Sequence, residues 1–212
     1  MKSVIKSRTL RALTQRARIA RALVAVALAG LFAAGCKGTS EPGVTASVTI
    51  SPTSASIPVL TTQQFTVVVK NASGDVLNVT PTWSVSGGGT ITQTGLFTAG
   101  PTAGTSIVSV TCSGITVNAT VTVTAGALLT ITVTPNPDTL VVSTQQQFTA
   151  VGRDANNNVV SGLTFVWSVV NPTAGTIVSG SGLFTAGTTP GSYPNTVKAT
   201  VGAVSGTATV VV

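Results

Sequence analysis

The sequence predicts an all-β chain of two tandem sandwich modules behind an N-terminal leader. Three observations predict it. A six-residue stretch occurs twice, as Gly95-Leu96-Phe97-Thr98-Ala99-Gly100 and Gly182-Leu183-Phe184-Thr185-Ala186-Gly187. Each copy follows a tryptophan, Trp83 or Trp167, and precedes a run of alternating Val and Thr. Self-similarity of this kind marks a repeated supersecondary unit, here of roughly eighty residues. The third observation is composition. The body is dense in Val, Ile and Thr, which suit a pleated, half-buried surface. Disordered chains are charged and poor in such residues.

Charge excludes one function class. The chain of 212 residues carries a formal +7. Lys2, Lys6, Arg8, Arg11, Arg16, Arg18 and Arg21 account for all of it, with no acid among them. The remainder balances Lys37, Lys70, Arg153 and Lys198 against Glu41, Asp75, Asp138 and Asp154. A nucleic-acid binder needs Lys and Arg gathered on a folded face to neutralise phosphates. Dispersed bases do not supply that, so no nucleic-acid partner is expected.

The leader has a basic n-region, an apolar run from Ala22 to Ala34, and then Gly35-Cys36. That order defines a secretory signal peptide. The apolar run is shorter than the eighteen or so residues that span a bilayer. Leu31-Phe32-Ala33-Ala34-Gly35-Cys36 resembles a bacterial lipobox, which implies cleavage before Cys36 and its lipidation. Ala33 stands where such motifs prefer Leu. Ordinary signal cleavage beside Gly35 is one alternative, and an Arg-rich transit peptide is another. Acyl chains bury roughly 0.8 kcal/mol per methylene, and one chain alone is a marginal anchor. The two or three chains of bacterial lipoproteins hold firmly. Lys37, in place of the Asp that enteric-type sorting reads as inner-membrane retention, points to an outer membrane or cell surface.

After the leader comes a Gly- and Pro-containing tether, Lys37 to Ala46, flexible by composition. Strand signals then begin. Ser47-Val48-Thr49-Ile50-Ser51 alternates at period two. Pro52 and Pro58 break this stretch and demote it to an edge, because proline cannot donate to a ladder. Phe65, Val67 and Val69 share one face, as do Trp83 and Val85. Asn71-Ala72-Ser73-Gly74-Asp75 and Gly87-Gly88-Gly89 are turns. Short strands flank Thr94-Gly95, and a hairpin turns at Ser113-Gly114. About seven short strands with turns every eight to twelve residues is the pattern of an immunoglobulin-like sandwich.

The second copy repeats these landmarks. Gln146-Gln147-Phe148-Thr149 matches Gln63-Gln64-Phe65-Thr66 at a shift of 83. The tryptophans differ by 167 − 83 = 84, and the glycine motifs by 182 − 95 = 87. The added residues fall in turns, near Gly162 and in Asn171-Pro172-Thr173-Ala174, as insertions in two copies of one fold should. The organisation predicted is a lipoprotein signal peptide over 1–35, a tether over 36–46, and immunoglobulin-like domains over 47–124 and 129–212. The link from Thr124 to Leu129 is short, so the domains should touch and bend little. With the anchor at the N-terminus, the second domain is expected at the distal tip.

In order and in duplicate, these landmarks resemble the bacterial immunoglobulin-like group 2 family. They are Ser51-Pro52, Gln64-Phe65-Thr66, Trp83-Ser84, Gly95 to Gly100 and Asn118 to Val123 in copy one. Copy two has Thr134-Pro135, Gln147-Phe148-Thr149, Trp167-Ser168, Gly182 to Gly187 and Thr207 to Val211. Asp154-Ala155-Asn156-Asn157-Asn158-Val159-Val160 is similar to the turn of the related invasin-type group 1 modules. The resemblance implies a surface protein in which such modules serve as adhesive tips or spacers. It carries over no catalytic residue.

Candidate chemistry is sparse. With no histidine, triads and most general-base schemes have no base. The few acids are scattered, whereas glycoside hydrolysis needs two together, so no enzyme and no cofactor are expected. Trp83 and Trp167, with apolar neighbours on the same face, read as core residues and not sugar platforms. Tyr193 sits in what reads as a loop, Pro190 to Pro194, and is the aromatic expected to meet a ligand, together with Asn156 and Asn158. Asp154-x-Asn156-x-Asn158 opens like a calcium loop but lacks its glycine and distal Glu. Turn formation is the reading taken, with Asp154 the metal alternative. Cys112, whose place in copy two is read as Ala199, is expected to be a buried thiol. Its one conceivable partner, Cys36, is claimed by the lipid. The sequons at Asn71, Asn78 and Asn118 are read as chance.

Two functions compete. The first is a non-catalytic surface lipoprotein serving adhesion or recognition of a glycan or surface protein. It would use distal loops at Asn156–Asn158, Asn171–Ala174 and Thr188–Pro194. The second is a structural spacer or envelope-assembly subunit joined through strand edges. A calcium-stiffened rod is a third.

Overall fold

The computed structural model describes residues 43–212. The signal peptide, Cys36 and the tether up to residue 42 lie outside the described residues. The fold is all β, as two tandem immunoglobulin-like sandwiches. Among the described residues, a 3-10 turn at Pro172–Ala174 is the sole helical element.

The first module contains β1 (Thr45–Ser51), β2 (Ser54–Pro58), β3 (Thr62–Gln64), β4 (Thr66–Asn71), β5 (Thr82–Ser86), β6 (Thr90–Ile91), β7 (Leu96–Thr98), β8 (Gly104–Cys112) and β9 (Ile115–Thr124). The second contains β10 (Thr130–Thr134), β11 (Asp138–Thr139), β12 (Gln145–Gln147), β13 (Thr149–Arg153), β14 (Val166–Val169), β15 (Gly175–Ile177), β16 (Leu183–Ala186), β17 (Ser192–Val201) and β18 (Val204–Val211). Sheet β2-β9-β8-β5 recurs as β11-β18-β17-β14. Sheet β3-β7-β6 recurs as β12-β16-β15, and the pair β1-β4 as β10-β13.

The break foreseen at Pro52 is a change of sheet. β1 pairs antiparallel with β4, whereas β2 pairs parallel with β9. Proline cannot continue the ladder, and the strand resumes on the opposite layer. Burial follows period two. In β8, Ser106, Val108, Val110 and Cys112 point inward while the residues between them face outward. Each buried valine contributes about 1.5–3 kcal/mol as an upper bound. Trp83 and Trp167 are buried in their respective cores.

The repeated motifs meet one another. The Phe65 N–H donates to the Gly95 carbonyl at 2.8 Å, and the Phe148 N–H to Gly182 at 3.0 Å. Gln64 Nε2 donates to the carbonyls of Phe65 and Thr94, at 2.7 and 2.8 Å. Gln147 Nε2 does the same to Phe148 and Ser181, at 2.8 and 2.6 Å. Gly95 and Gly182 have φ of 82° and 76°. A Cβ at either would strike a phenylalanine carbonyl and the tryptophan ring. Only glycine combines that backbone with that closeness. The phenylalanine that follows, Phe97 or Phe184, is fully buried.

Cys112 is a free, buried thiol, and burial raises its pKa. Its counterpart is not Ala199. Cys112 closes its hairpin against Ile115 as Val201 does against Val204. Ala199 instead faces Trp167, as Val110 faces Trp83. A register shift between Tyr193 and Val197 displaces the count.

Candidate functional site

The residues singled out at Asp154–Asn158 build a clasp between the two modules. The local chemistry explains the turn. Asp154 Oδ1 accepts from the N–H groups of Asn156 and Asn158, at 2.9 and 2.8 Å. Aspartate favours such turns because its side chain bonds the backbone just ahead. The Asp154 N–H donates to the Asn158 carbonyl at 3.0 Å, and Asn157 takes φ of 66°. Asparagine tolerates that left-handed conformation better than most residues. Arg153 Nη1 closes the outside by donating to the Asn157 carbonyl at 2.8 Å.

Two side chains then leave the turn. Asp154 Oδ2 accepts from Asn158 Nδ2 at 2.9 Å and from the Gly126 N–H of the connecting segment at 2.7 Å. Asn158 Nδ2 also donates to the Pro101 carbonyl at 2.8 Å, and its Oδ1 accepts from the Ala103 N–H at 2.9 Å. One amide thus engages a carbonyl and an N–H on the β7–β8 loop of the first module. A cleft of about 380 Å³ opens alongside, lined by Ala103, Val123, Ala125, Val159 and Val160 among others.

Electrostatics fit this geometry. Asp154 is 4% exposed. Burial by itself raises its pKa, but hydrogen bonds from Asn158, Gly126 and Asn156 outweigh that and hold it at about 2. Both carboxylate oxygens are occupied by N–H donors, which is the opposite of what a cation requires. Among the described residues, no group of three His, Cys, Asp or Glu side chains could hold a metal ion.

The expected grouping of Asn156 and Asn158 with Tyr193 does not form. Ile131 pairs with Gly152 and packs on Gly206, so the β17–β18 turn shares the clasp end of the second module. Gly191 and Val212 exchange two 2.9 Å bonds at the opposite end. Asn156 is exposed and joins the turn through its backbone. Tyr193 is corrected from loop to strand: it lies in β17, 8% exposed, within the second core. Its hydroxyl donates to the Thr189 carbonyl at 2.8 Å. The ring is packed, so it presents no face to a partner.

The opposite end of the second module carries three valines that the sequence did not single out. Val141, Val170 and Val142 are 70%, 62% and 40% exposed. At the repeat shift, 142 − 83 = 59, Val142 corresponds to Val59, which is 7% exposed. Gly126 of the connecting segment covers Val59. The Asn171–Ala174 turn meets the same end through the 2.7 Å bond from Gly187 to Ala174.

No protein-family model matches the sequence, and no curated protein matches it. Among solved structures, 136 chains match. The chain is similar to the Escherichia coli adhesin FdeC at 19% identity and a TM-score of 0.46, over 80% of this chain and 66% of that one. It is similar to InvD of Yersinia pseudotuberculosis at 20% and 0.43, over 78% and 56%. Domains 4 and 5 of the S-layer protein SbsC match at 17% and 0.39, over 79% and 98%. The chain spans under two thirds of the FdeC and InvD structures.

Proposed function

We propose that this is a non-catalytic cell-surface protein of adhesion type. In this reading a lipid on Cys36 anchors it to the membrane and the clasp stiffens its two modules into a rod. The end of the second module that bears Gly191 meets a surface protein. The contact surface is Val141, Val142 and Val170 with the loops Asn171–Ala174 and Thr188–Gly191. Tyr193 supports that surface from behind by holding the Thr189 carbonyl.

One observation carries the reading. At one end of the second module Val141, Val142 and Val170 are 70%, 40% and 62% exposed. Exposed apolar side chains that lie together favour a protein interface over general solubility.

The test is binding of purified residues 37–212 to panels of matrix proteins and glycans. Saturable binding to a protein, weakened at least tenfold by Val142→Thr with Val170→Thr, is the expected result. Binding to glycans alone would replace the protein partner. No binding on either panel would favour the second reading, a ligand-free spacer, for which the clasp is sufficient.

A further inference from the structure

The clasp has two halves, a turn and a receiving loop, and each module has its own version of both. We infer that the clasp forms once among the described residues, between these two modules, and that the far end of each module carries chemistry that does not fit it. End-to-end docking of a second copy is thereby blocked. This inference is independent of the adhesive reading and would hold for a rod with no ligand.

The first module builds the same turn from the same residue types in reverse order. Asn71 and Asp75 stand where Asp154 and Asn158 stand, both at the shift of 83. The Asn71 N–H donates to the Asp75 carbonyl at 3.0 Å. The Asp75 N–H donates to Asn71 Oδ1 at 2.8 Å, and Asn71 Nδ2 to Asp75 Oδ2 at 3.0 Å. These bonds survive the exchange, while the bond from the Asn156 N–H to Asp154 Oδ1 has no counterpart at Ser73. What changes is the outward offer. Asn158 presents a donor and an acceptor, matched to Pro101 and Ala103. Asp75 presents acceptors and a charge. Set against a carbonyl, it would repel.

The receiving loop is altered too. Gly100 to Gly104 and Gly187 to Gly191 each enclose three residues. Gly104 pairs with Val123, and Gly191 bonds Val212. Pro190 therefore stands where Ala103 gives its N–H, and proline has none to give. At the shift of 87, Thr188 stands where Pro101 offers its carbonyl, so what the loop lacks is the N–H. Among the described residues, the Asn158 amide and an N–H that donates to it occur together only at the junction between the modules.

The experiment moves that far-end chemistry into the junction of the 212-residue chain. Spin labels at Thr116→Cys and Ser205→Cys, in a Cys36→Ser background, report the distance between modules. We expect a narrow distribution in the parent and at least a twofold broadening in Asn158→Asp and in Ala103→Pro. Asn156→Ala should leave it narrow. The exchange Asp154→Asn with Asn158→Asp rebuilds the turn that already folds in the first module, so it separates uncoupling from misfolding. It should broaden the distribution while the module still melts cooperatively. A narrow distribution in both Asn158→Asp and Ala103→Pro would overturn the inference. So would concentration-dependent end-to-end chains of the parent protein in sedimentation.

Discussion

The two modules differ least in the motifs that close each core and most where one meets the other. Gln64 and Gln147 grip the same two carbonyl positions, and Gly95 and Gly182 abut the same tryptophan. The Asn71–Asp75 and Asp154–Asn158 turns are also alike inside, yet only the second touches another module. A turn's shape is set by its own residues. Its use is set by what the chain brings opposite it. The strand edges make the same point. Beside Trp83, the Gln93 amide accepts from the backbone N–H at 3.1 Å and donates to the carbonyl at 3.2 Å. Beside Trp167, the Ser179 backbone carbonyl accepts the N–H at 2.9 Å instead.

The largest test of this parallel is in the cores. Phe97→Ala and Phe184→Ala should each cost about 3–5 kcal/mol, read by denaturant unfolding with a probe in each module. Equal loss at both probes from one substitution would show that the clasp fuses the modules into a single folding unit. The next test is pH. Asp154 titrates at about 2 in the folded protein, below the ordinary value of about 3.9. Its contribution is therefore full above about pH 4 and is lost as pH falls toward 2. Coupling between the modules should fade over that window and be flat from pH 5 to 8. A loss of coupling near neutrality would assign the lock to another group.

Smaller effects separate the edges and the layers. Gln93→Ala should cost the first module about 1–2 kcal/mol by leaving the Trp83 edge unpaired. The corresponding Gly180→Ala (93 + 87 = 180) should do little, because a backbone carbonyl serves that edge. Asp138 Oδ2 is buried without a hydrogen-bond partner, and Ala55 occupies the matching place at the shift of 83. Asp138→Ala should therefore stabilise the second module by about 1 kcal/mol. A destabilisation would reveal a partner for that oxygen.

Much of this was legible in the residues. Period-two alternation reports burial directly, so the cores around Trp83 and Trp167 and the hairpin at Ser113-Gly114 could be read. Tyr193 could not. Pro190, Gly191 and Pro194 punctuate that stretch as a loop, but β17 absorbs Pro194 at its register shift, where proline is tolerated. The same shift moved the counterpart of Cys112 from Ala199 to Val201. Local sequence marks Asn158 as a turn residue, but its reach to Pro101 spans 57 residues and leaves no local signal. The signal that could have found it was the exchanged order of Asn and Asp between the copies.

The change of sheet at Pro52 has a mechanical consequence. Because β2 runs parallel to β9, a pull on the two ends of the first module loads that pair in shear. Five residue pairs, Ser54 with Thr120 through Pro58 with Thr124, bear tension together and do not peel apart in turn. The matching pair in the second module, β11 with β18, has two. Under force, where the unfolding rate governs survival, the second module is the fuse. It should yield first and lengthen, sparing the module nearer the chain's N-terminus.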